Sequence, residues 1–86
     1  MMMQFTTALE AEKVMYRLKS ELKTITYNKD LRKLVSNCEK LLNILGSAEV
    51  RARQLQKPYL ANKAREDLAQ AVDYLEKVII VAKLTE

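Results

Sequence analysis

Histidine and tryptophan are absent from this sequence, and cysteine, glycine, proline and phenylalanine occur once each, as Cys38, Gly46, Pro58 and Phe5. Without histidine the commonest acid–base group at neutral pH and the usual nucleophilic triads are missing. A single thiol excludes an intrachain disulfide and a dithiol redox centre, and with no imidazole to join it the usual structural zinc sets are excluded too. One glycine, in LNILGSAEV, leaves no glycine-rich phosphate loop. Long apolar runs are lacking as well. The longest is VIIVA, closed on both sides by Lys77 and Lys83, whereas a membrane-spanning helix needs roughly 20 apolar residues. No membrane partner is therefore expected.

The opening MMMQFTTALEAEK has no basic start followed by an apolar core, so no secretory signal is expected. The three leading methionines leave the start codon open, and the first few residues are expected to fray. A lone cysteine fits a reducing compartment, which makes a cytoplasmic location the expectation. Glu66 and Asp67 are adjacent, while Asp73, Glu76 and Glu10 or Glu12 have no spacing that brings them together. They read as solvent-facing helix charges, and neither a metal, a cofactor nor catalysis is expected.

What remains is a chain of helix formers. Of 86 residues, 49% are apolar and 30% charged, a composition rich in Leu, Lys, Glu, Arg and Ala that favours ordered helix over disorder. So short a chain forms one domain, residues 1–86, and buries only about 60 to 65% of its unfolded surface. With disulfide and metal excluded, a partner chain is the remaining aid, and a homo-oligomer, most simply a dimer, is expected.

Four helical segments are predicted, over residues 5–26, 30–45, 48–57 and 58–84. In the first, Ala8, Ala11, Met15, Leu18, Leu22 and Ile25 recur at spacings of three and four, widened by Val14, until TITYNKD ends the pattern. Thr24, Thr26 and Asn28 there compete for backbone hydrogen bonds. The second carries Leu31, Leu34, Cys38, Leu41 and Leu45, with Asn28 or Asp30 to cap its start and Gly46 placed to take a left-handed conformation beyond its end. Cys38 on this stripe reads as a small buried hydrophobe. Ser47 can then cap a third helix, with Glu49 near its positive end. Pro58 either opens a fourth helix or kinks a continuous one, and a break at residues 56–58 is favoured. The last stripe is Ala61, Ala64, Leu68, Ala71, Leu75, Val78 and Ala82, with Val72 and Ile79 beside it. The fold class that follows is all-α, a compact bundle of three to four helices, with a helix-turn-helix-like pair in the middle as one option.

Two surfaces invite a functional reading. In YLEKVIIVAKL, Leu75, Val78 and Ile79 share the stripe's face while Ile80 and Val81 point away from it. A helix apolar on more than one side must insert between neighbours or meet another chain, so Leu75, Val78, Ile79, Ile80 and Val81 form the candidate interaction surface. The second is electrostatic. The formal charge is +4, and residues 28–57 alone carry seven basic against three acidic groups. Within them Arg51, Arg53, Gln54 and Lys57 follow a leucine-rich helix, a glycine and a serine, the order of a helix-turn-helix, and Arg and Gln suit base edges while Lys suits phosphate. Tyr27 and Tyr59 are expected to seal the core's ends, and Tyr16 and Tyr74 to rim helix contacts. The sequence thus favours a noncatalytic protein-interaction module, an adaptor, inhibitor or regulatory subunit that self-associates. The alternative is a DNA- or RNA-binding regulator using the helix at 48–57.

Overall fold

Thr7 begins the first helix. In a computed structural model that describes residues 6–25 and 29–85, its backbone is extended and its hydroxyl accepts the Glu10 amide at 3.3 Å. The Glu10 carboxylate reaches back to the Thr6 amide at 3.2 Å and accepts the Thr6 hydroxyl. This is a capping box displaced by one residue, and it sets the start of α1 (Ala8–Leu22). The hydrogen bonds from Thr6 hold the Glu10 carboxyl below its ordinary range. At the other end, the Lys23, Thr24 and Ile25 amides donate three residues back, and the Thr24 hydroxyl donates to the Glu21 carbonyl at 2.7 Å. The helix tightens and stops at the threonine-rich stretch that the sequence marks. Residues 5 and 26 of the predicted first helix lie outside the described residues, as do the expected fraying of the first residues and the roles given to Tyr27 and Asn28.

The largest departure from expectation is α2 (Lys29–Leu55), 27 residues without a break. The segments predicted at 30–45 and 48–57 are one helix, and the helix-turn-helix-like pair is not formed. Gly46 does not take a positive φ and Ser47 does not cap a new start. The reason lies in the packing. Leu31, Cys38, Leu45 and Ala52 are buried at strict seven-residue spacing on both sides of the glycine, with Ala48 packed beside them. One interior glycine costs a helix about 1 kcal/mol, less than unwinding this stripe would lose.

The C-terminal signal expected at Gly46 operates at Gln56. The Lys57 amide donates to the Ala52 carbonyl at 2.9 Å and the Gln56 amide to the Arg53 carbonyl at 3.1 Å. That is a Schellman motif, whose reversal residue, Gln56, sits at φ 55. Pro58 follows and opens a 3₁₀ turn (Pro58–Ala61), which feeds α3 (Asn62–Thr85). The break expected at 56–58 is present, with the first turn of the predicted 58–84 segment in 3₁₀ form.

The three helices run up, down and up. Ala8 at the start of α1 donates to Glu49 late in α2, and Lys19 pairs with Glu39, so these two are antiparallel. Arg17 meets Glu76 and Lys83 meets Glu21, so α1 and α3 run parallel. The all-α class is as expected, realised as a three-helix bundle. Its core is one cluster: Ala11, Met15 and Leu18 from α1, the four heptad residues of α2, Ala61 of the 3₁₀ turn, and Leu68, Ala69, Val72, Leu75 and Ile79 of α3. In α3 the buried stripe is centred closer to Val72 and Ile79 than the sequence pattern suggests, leaving Ala64, Ala71, Val78 and Ala82 half-buried at its flank. Seven-residue spacing of this kind, rather than the 3.6-residue period of a straight helix, matches the slight left-handed winding of packed helices.

Candidate interaction face and end cleft

On α3, at about 100° per residue, the buried Leu68, Leu75 and Ile79 define one side. Tyr74, Lys77, Ile80, Val81 and Leu84 fall within an arc of about 120° on the opposite side. The fold therefore divides the five residues of the candidate surface. Leu75 and Ile79 are enclosed in the bundle's own core, and Val78 is half-buried beside them. Ile80 and Val81 face outward at 51% and 58% exposure, joined by Leu84 at 80% and by Tyr74. The sequence reading did not include Tyr74 and Leu84 in this surface, although their spacing of seven and three residues from Val81 places them there. Lys77 lies within the same arc, tied to Asp73 at 3.1 Å one turn back. α3 is thus apolar on two opposite faces over its last three turns, and only one is covered by α1 and α2.

Arg51, Arg53 and Gln54 occupy the end of α2, with Lys57 in the turn after it, and all four are exposed. They do not form one surface. Arg51 and Arg53 project to either side of the buried Ala52, about 200° apart around the helix. Arg51 and Lys57 edge a groove of about 470 Å³ with Ile44, Ala48, Leu55, Tyr59 and Leu60. Tyr59 stands in this groove largely exposed rather than sealing the core. Without a turn at Gly46, the reading of residues 48–57 as a recognition helix loses its helix-turn-helix argument and keeps its charge.

Arg53 belongs instead to a larger cleft at the end of the bundle. It encloses about 660 Å³ between Thr7 and Leu9 at the start of α1, Glu49, Ala52, Arg53 and Gln56 of α2 and its cap, Pro58 and Ala61 of the 3₁₀ turn, and Arg65 of α3. Glu49, expected to sit at the positive end of its own helix, instead caps a different one. Both its carboxylate oxygens accept the Ala8 amide, at 3.0 and 3.2 Å. Arg65 donates from Nη1 to the Asn62 side chain at 2.6 Å, while its Nε is shut off from solvent with no acceptor.

Cys38 is enclosed at the centre of the core, and burial pushes its thiol up to about 11. A thiol so protonated is a poor nucleophile, in line with its sequence reading as a small hydrophobe. Among the described residues no helix is long and apolar enough to cross a membrane. No protein-family model, curated protein or solved structure matches this chain.

Proposed function

We propose that this chain is a noncatalytic protein-interaction module that pairs with a second copy of itself through the outward face of α3. The observation that carries the reading is the arc of Tyr74, Ile80, Val81 and Leu84, four large apolar side chains left open on the side of α3 facing away from its neighbours. Removing one such side chain fully from water is worth roughly 1.5 to 3 kcal/mol, so covering three half-exposed ones offers several kcal/mol to an association.

The Lys77–Asp73 ion pair lies inside the same arc and would be the polar element within the contact, fixing its register.

Sedimentation equilibrium tests the proposal. The parent chain is expected to be dimeric at micromolar concentration, the doubly substituted Ile80→Glu/Val81→Glu chain monomeric, and Lys77→Glu to be weakened much less than that double variant. Both substituted positions are outward-facing in the monomer, so helical content should survive in all three. A parent that remains monomeric at hundreds of micromolar would refute self-association through this face.

A further inference from the structure

The end cleft offers a chemistry that the α3 face does not. A volume of about 660 Å³ falls in the range of small-molecule sites, about 300 to 1,000 Å³. Its walls are apolar at Leu9, Ala52, Pro58 and Ala61, and its charges are Arg53, Arg65 and Glu49. The single acid is already engaged, since both its oxygens accept the amide at the start of α1. Two guanidinium groups against this one carboxylate leave the cleft with a net positive charge, and the Arg65 Nε is buried with no acceptor. That Nε is closed to a ligand as it is to water, so an anion in the cleft meets Arg65 at the Nη side of its guanidinium, where the bond to Asn62 is exposed. Guanidinium presents paired donors in a planar fork that fits the two oxygens of a carboxylate or a phosphate.

We propose that this cleft binds a small organic anion, a carboxylate or phosphate monoester carrying an apolar tail. The head group is held by Arg65 and Arg53, and the tail lies against Leu9, Pro58 and Ala61. The site stands at the end of the bundle where α1 starts and α2 stops, opposite the end where Lys83 meets Glu21. It is therefore separate from the outward residues of the last turns of α3, and it does not depend on self-association.

The experiment is a titration of the full ¹⁵N-labelled chain with sodium octanoate, octyl phosphate and, as the uncharged counterpart, 1-octanol, followed by amide and Arg Nε–H shifts. Saturable shifts centred on Leu9, Ala52, Gln56, Ala61 and the Arg65 Nε–H are expected with at least one anion, and the tighter of the two identifies the head group. Loss of a hydrogen bond to a charged group should weaken binding about tenfold or more in Arg65→Met. Arg53→Gln, which leaves the Arg65–Asn62 hydrogen bond in place, should also weaken it and keeps the test open if the first variant folds poorly. Ile80→Glu/Val81→Glu should bind as the parent does. Equal binding of octanol, unchanged affinity in either well-folded arginine variant, or no saturation by either anion up to about 10 mM would overturn the proposal.

Discussion

At the scale of single residues, two backbone positions carry residues that the local geometry does not favour. Gly46 lies in the middle of α2 with a right-handed backbone, and a Cβ built there meets nothing within 4 Å beyond its chain neighbours and its own helix backbone. Gln56 lies in the left-handed reversal of the Schellman motif, where a Cβ is penalised. The better arrangement is the exchange of roles. Gly46→Ala should stabilise the chain by about 0.5 to 1 kcal/mol, because alanine both favours helix and restricts the unfolded chain. Gln56→Gly should gain a few tenths to about 1 kcal/mol, the relief of the left-handed penalty less the added freedom of the unfolded glycine. The sites are more than two helical turns apart and share no partner, so the gains should add. Thermal melts of the single and double variants test this, with about 4 to 8 °C expected per kcal/mol for a domain of this size. A destabilised Gly46→Ala chain would mean that another helix passes close to that backbone in the assembled state.

At the scale of the elements, the sequence is legible wherever a stripe and a breaker agree, and misleading where they conflict. The first stripe ends at Thr24 with threonine bonding its own backbone, and Pro58 marks a real break; in both places side-chain chemistry and packing point the same way. Around Gly46 they diverge. Glycine followed by serine is a local stop-and-start signal, but Leu45, Ala48 and Ala52 continue the buried face through it, and tertiary burial prevails. The seven-residue recurrence of Leu31, Cys38, Leu45 and Ala52 was visible in the sequence and would have joined the two segments. By contrast, nothing local announces that Gln56 adopts the reversal, or that Glu49 caps α1, since that contact spans 41 residues. The end cleft escaped for the same reason: Arg53 and Arg65 come to line one cleft only through the fold, though TALE at residues 7–10 does spell the capping box that forms one edge.

The double capping of α1 by Thr7 and Glu49 yields a further expectation at this scale. Glu49→Gln should destabilise the chain by about 1 kcal/mol, because it removes a charge-assisted acceptor from the first turn, and should lower hydrogen-exchange protection most at the start of α1. Glu10 adds a pH dependence whose sign follows from its lowered titration. Its ionised form is the one that the folded state favours, so its contribution is present above the unfolded carboxylate value and is lost as pH falls through the lower folded value. In Glu49→Gln, where Glu10 and Thr7 alone hold that turn, protection at the start of α1 should fall with acidification. Protection unchanged by the substitution would show that the interhelical cap does not contribute.

At the scale of the whole molecule, the chain is long for its mass, 48 × 22 × 17 Å with a radius of gyration of 13.9 Å, against about 12 Å for a typical domain of this length. The elongation follows from the elements: α2 and α3 extend about 40 and 36 Å, α1 only about 22 Å. A core one side chain wide, with Ala11, Ala52, Ala61 and Ala69 among its members, has few large residues per turn, so the free monomer should be only marginally stable. If dimer formation through α3 supplies the difference, folding and association are linked and stability must depend on concentration. Each tenfold rise in concentration adds about 1.4 kcal/mol per dimer, which divided by the unfolding entropy of two such chains corresponds to about 4 °C in Tm. Melts from about 5 to 500 μM should therefore rise by roughly 8 °C for the parent, while the Ile80→Glu/Val81→Glu chain should melt lower at every concentration and show no such slope. A parent whose Tm does not move with concentration would break the link between the second apolar face of α3 and the stability of the fold, whatever its sedimentation behaviour.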